Sequence, residues 1–82
     1  MSTDEIIKEL ENLLNQLSVE LKYGRGYFDG GLYRYRDNKC IYLNRANSDQ
    51  HNLAILLSEI KKMEWQNLEC KPSIKELLTK SD

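Results

Sequence analysis

The chain has 82 residues, 40% hydrophobic and 30% charged, with 12 Lys/Arg against 13 Asp/Glu for a net charge of −1. That length holds one domain, residues 1–82, with a small core, and a near-neutral total supplies no global drive toward nucleic acid or membranes. No apolar run approaches the roughly 18 residues of a membrane span and no basic-then-apolar leader opens the chain, so a cytoplasmic location is expected.

Ser2-Thr3-Asp4-Glu5 has capping-box spacing and an acidic first turn, both signs of a helix start. Ile6, Leu10, Leu13, Leu14 and Leu17 then recur at helical spacing and predict an amphipathic helix over 3–17. Val19–Tyr23 alternates with period two, so it reads as a strand with Val19, Leu21 and Tyr23 facing inward. All four glycines fall in Gly24–Gly31, a loop with Tyr27 and Phe28 at its tip. Leu32–Arg36 and Cys40–Asn44 are strand-like and flank Asp37-Asn38, two residues suited to a hairpin turn. That turn pairs Tyr33 with Tyr42, Tyr35 with Cys40 and Leu32 with Leu43. One face then carries Tyr33, Tyr35, Cys40 and Tyr42, the other Leu32, Ile41 and Leu43, and any even-length turn preserves the partition. Asn47 and Ser48 are caps for a helix over 49–66 with a Leu53/Leu56/Leu57/Ile60 stripe. Leu68–Cys70 reads as a short strand or an extended connector. Pro72 opens a last short helix whose apolar face is Ile74, Leu77 and Leu78.

The expected fold is α+β, in the order α-β-β-β-α plus a short C-terminal helix. A small antiparallel sheet packs its aliphatic face on the helices, and its tyrosine face lies at or near the surface.

Six of the seven aromatic residues lie between Tyr23 and Tyr42. The segment 22–45 also carries six Lys/Arg against two acids, whereas residues 1–21 have a net charge of −4. The candidate binding residues are therefore Tyr27, Phe28, Tyr33, Tyr35 and Tyr42, with Arg34 and Arg36. Rings for stacking and cations for phosphates are the mixture used on single-stranded nucleic acid. Alternation sends Arg34 and Arg36 to the face opposite the tyrosines, however. A protein partner or a second copy of the chain, a homodimer, is the preferred reading of this face. Plain structural use of tyrosine in strands ranks next and nucleic acid last.

The glycine loop lacks the Gly-Lys-Ser/Thr ending of a phosphate loop and opens a strand, not a helix, so it reads as a mobile loop or bulge. Cys40 and Cys70 are expected as free thiols. With one histidine, scattered cysteines and no zinc spacing, neither metal nor other cofactor is expected. His51 has no Cys or Ser placed near it in sequence to form a nucleophile–base pair, so it reads as an exposed helix residue and no catalytic residue is assigned. Ser58, Glu59 and Lys62 read as a solvated helix face with a Glu59–Lys62 pair.

Gly30-Gly31-Leu32-Tyr33-Arg34, Ile41-Tyr42-Leu43-Asn44-Arg45 and Pro72-Ser73-Ile74-Lys75-Glu76-Leu77-Leu78 resemble a group of small uncharacterised bacterial proteins over about residues 13–78. The group has the same α-β-β-β-α order and no known activity to transfer. A more distant likeness is to the ImmA/IrrE-type metallopeptidases, whose core has an Ile-x-Leu-Asn-like strand followed by a helix bearing His-Glu-x-x-His. Ile41-Tyr42-Leu43-Asn44 resembles that strand, and Ser58-Glu59-Ile60-Lys61-Lys62 falls where the motif would be. Glu59 matches the general base, but Ser58 and Lys62 stand at both histidine positions. A hydroxyl and an ammonium do not replace two imidazole ligands. The resemblance implies a zincin-like fold without its metal and no peptidase activity.

Overall fold

In the computed structural model, which describes residues 2–80, helix α1 spans Thr3–Gln16. The Ser2 side chain accepts from the Glu5 amide at 3.3 Å and its hydroxyl reaches the Glu5 carboxylate, the capping box expected at that spacing. Ser18, at φ 60°, ends the helix in the left-handed region. Strand β1 (Val19–Gly24), β2 (Gly30–Tyr35) and β3 (Asn38–Asn44) follow. Helix α2 (Asp49–Lys61) is capped by Ser48, whose side chain accepts from the His51 amide at 3.2 Å, and α3 is Pro72–Thr79. The chain is α+β in the expected order.

The sheet corrects one expectation. It is mixed, with strand order β1-β3-β2: β2 and β3 form an antiparallel hairpin, and β1 pairs parallel to β3. A short loop between consecutive strands usually means that they neighbour each other. Here residues 25–29 instead arch over the end of β3, a width of about 10 Å at ordinary strand spacing. Burial accounts for the order. The most apolar strand takes the centre, with Ile41 and Leu43 fully buried, while Glu20, Lys22 and Arg34 occupy the edges, where charge also blunts aggregation. Fully burying each aliphatic side chain stabilises the fold by about 1.5–3 kcal/mol.

Register differs by two residues along one strand of the hairpin, which moves the turn back by one. Tyr33 pairs with Cys40, Leu32 with Ile41, Gly31 with Tyr42 and Gly30 with Leu43. The two-residue turn is Arg36-Asp37 instead of Asp37-Asn38, with Arg36 at φ 58° and its guanidinium 5.4 Å from the Tyr35 ring centre. The turn still has an even length, so the partition of faces survives. Strand β2 also begins two residues earlier than the periodicity indicates, because Gly30 and Gly31 are paired.

Helices α1 and α2 pack on the aliphatic face, and α3 packs against those two helices. One core joins Leu10, Leu13 and Leu14 of α1, Leu56 and Ile60 of α2, and Ile74 and Leu78 of α3 to the sheet. α2 ends at Lys61, short of the expected 66. Past it, Trp65 turns into the core at 6% exposure and Leu68 packs at its edge. Residues 68–70 are a connector, held to α1 by Gln16, which donates to the Glu69 carbonyl and accepts from its amide. No helix among the described residues is long and apolar enough to cross a membrane.

Candidate functional site

The second face of the sheet is covered by none of the three helices. Alternation places Glu20, Lys22 and Gly24 of β1, Cys40 and Tyr42 of β3, and Tyr33 and Tyr35 of β2 on it. Tyr33 is 52% and Tyr35 70% exposed. The Tyr33 and Tyr42 rings meet edge to face, 5.3 Å between centres at 88°. Phe28 folds back from the loop onto the same face. Its ring fills the space that a side chain at Gly24 would occupy: a Cβ there would lie 3.3 Å from the ring tip and 4.0 Å from Tyr42. Two adjoining depressions of about 300 and 310 Å³ share Tyr33 and Tyr42 and form one open trough along the face. Arg25 lines its loop end and Lys22 the other part.

The sequence-predicted residues divide. Phe28, Tyr33, Tyr35 and Tyr42 are brought together, and Arg36 joins them by stacking on Tyr35. Tyr27 is fully exposed at the loop tip, and Arg34 sits opposite Lys39 on the other side of the sheet. Lys22 and Arg25 were missed as site residues. Lys22 lies beside Tyr42 only because β1 pairs with β3, a neighbour relation with no local signature. Its amine is held above the ordinary lysine range by Tyr42 and then by Glu20, whose carboxylate is 3.5 Å away, so it stays cationic throughout the neutral range.

The loop that carries Phe28 rests on Asn44, the last residue of β3 and 3% exposed. Asn44 Nδ2 donates to the carbonyls of Gly26 at 2.9 Å and Phe28 at 2.6 Å, and its Oδ1 accepts from the Ala46 amide at 2.9 Å. Asn52 of α2 donates to the Asn44 carbonyl at 3.0 Å, and Asn47 donates to the Asp29 carbonyl and to Asn52 Oδ1. Asn44 and Asn47 thus satisfy three carbonyls of a loop expected to be mobile or a bulge, and Asn52 braces both. Asn44 was legible only as the end of the Ile41–Asn44 strand motif, not as a support for the loop, and Asn52 carries no signal because it sits among polar residues at a helix start.

Cys40 lies half-buried on the tyrosine face, and Cys70 is half-buried elsewhere; both are free. Burial pushes the Cys40 thiol up, only partly offset by Lys22, so less of it is thiolate at neutral pH than in an ordinary cysteine. Alkylation by iodoacetamide at pH 7 is expected to run several-fold slower at Cys40 than for a free cysteine peptide, approaching the peptide rate as the pH rises through the thiol's range. Site-resolved mass spectrometry over a pH series checks this.

A further cleft lies between β2 and α2 and is lined by residues that include Asp29, Gly30, Gly31, His51, Ser58 and Glu59. His51 Nε2 is 3.8 Å from Asp29 Oδ1. The expected Glu59–Lys62 pair is present at 3.4 Å, but the face is less solvated than its sequence indicates: the Glu59 side chain is 16% exposed. Among the described residues no group of three or more His, Cys, Asp or Glu is placed to hold a metal ion. No protein-family model, curated protein or solved structure matches this chain.

Proposed function

We propose that the chain is a binding module, not an enzyme, and that the tyrosine trough is the surface that meets its partner. One observation carries this reading: a sheet face with exposed Tyr33 and Tyr35, edged by Tyr42 and Phe28, that no helix covers. Most proteins bury such a face or use it. A loop pinned by the buried Asn44 side chain holds Phe28 in place, so the trough exists before any partner arrives, which lowers the ordering cost of binding.

A protein partner or a second copy is supported by the outer edges of β1 and β2, which adjoin the trough and leave backbone groups for strand addition. The cations around the rings favour a different occupant, taken up below.

Small aromatic fragments such as indole and p-cresol, titrated at millimolar concentration against ¹⁵N-labelled protein, test the reading. The expected shifts cluster at Gly24, Phe28, Tyr33 and Tyr42. Shifts scattered over the helices, or gathered in the β2–α2 cleft, would remove its basis.

A further inference from the structure

Resting on the trough as the binding surface, we infer that its ligand is single-stranded nucleic acid. The rings and the charges point to it independently. Tyr33 and Tyr35, two apart on one strand with their Cα atoms about 6.7 Å apart, expose their rings on one face, with Phe28 and Tyr42 beside them. Unpaired bases stack on such rings whatever their sequence.

Cations frame this row. Lys22 stands beside Tyr42, Arg25 closes the loop end, Arg36 covers Tyr35 at the turn end, and Glu20 is the one carboxylate lining the trough among the described residues. Elsewhere the chain is acidic, with residues 1–21 at −4 against +4 for residues 22–45. Around the rings themselves Lys22, Arg25 and Arg36 stand against Glu20, an excess of positive charge that suits a ligand of alternating flat bases and phosphates.

Of the two arginines that strand alternation sends away from the tyrosines, the turn returns Arg36 to Tyr35, while Arg34 stays on the opposite face.

The test is fluorescence anisotropy with a labelled oligothymidine of about 12 nucleotides, repeated with a hairpin duplex and with inorganic polyphosphate. Binding at low salt is expected, with log K falling against log salt at a slope of about −1.5 to −3 for two to four phosphate contacts. Tyr33→Ala, whose side chain is exposed and whose folding circular dichroism verifies, is expected to weaken binding by about 5- to 150-fold. Lys22→Gln is expected to reduce the slope by about 0.7. The duplex should bind more weakly, because paired bases present no free face. No anisotropy change at low salt overturns the inference, as does binding unaffected by both variants, or polyphosphate binding as tightly as the oligonucleotide. If the aromatic fragments still gather in the trough in any of those cases, the binding surface stands and its occupant is a protein or a second copy. If they do not, the surface reading itself fails.

Discussion

Asn44→Ala is expected to lower the thermal midpoint by about 15–20 °C. The side chain makes three hydrogen bonds in a position 3% exposed, to the Gly26 and Phe28 carbonyls and from the Ala46 amide. Truncation leaves those backbone groups without partners, at about 1–3 kcal/mol for each that stays dry. With part of the loop relaxing into water, a net loss of about 3 kcal/mol follows, and a domain of this size shifts by about 4–8 °C per kcal/mol. Asn44→Asp should be worse at neutral pH, since a carboxylate oxygen would face carbonyl oxygens where Nδ2 now donates. Protonation supplies an O–H donor, so that variant's deficit should shrink as the pH falls. Urea melts of both variants over a pH series measure the effects. A loss under 1 kcal/mol for Asn44→Ala would show that the loop does not depend on it. The amides of residues 25–29 should also exchange with solvent faster in the variant, which ties the stability loss to the loop that seats Phe28.

Gly30→Ala is expected to cost about 3–5 kcal/mol, against about 1–2 kcal/mol for Gly31→Ala. Both glycines have positive φ, at 123° and 142°, where a side chain is strained. What separates them is the neighbour. A Cβ on Gly30 would lie 2.6 Å from the Tyr42 carbonyl oxygen and 3.4 Å from Ile55 Cδ1, whereas one on Gly31 meets nothing within 4 Å. The Tyr42 oxygen belongs to the central strand and has no room to retreat, since β3 is paired on both sides. The clash is therefore added to the strain at Gly30 and absent at Gly31. Chemical denaturation of the two single variants decides it. Equal losses would mean that backbone conformation, not the β2–β3 approach, sets the requirement for glycine.

Much of the site was legible because strand periodicity is a local rule. Tyr33, Tyr35, Cys40 and Tyr42 share a face whichever even-length turn joins β2 to β3, so the partition survived the move of the turn to Arg36-Asp37. The capping box at Ser2 and the Ser48 cap were readable for the same reason: donor and acceptor are three residues apart. Trp65 was not readable. It enters the core from a connector after α2, and nothing in its neighbours has a period.

The sequence by itself determined the α-β-β-β-α order, the caps, and which side chains of each strand travel together, because those depend on contacts within a few residues. Only the tertiary structure decided that β3 lies between β1 and β2, that Asn44 supports a loop crossing its end, and that Lys22 and Arg25 stand among the tyrosines. Each of these depends on segments about 16 to 20 residues apart, whose pairing is chosen by burying Ile41 and Leu43 in the centre, a property of the whole core that no short stretch of chain contains.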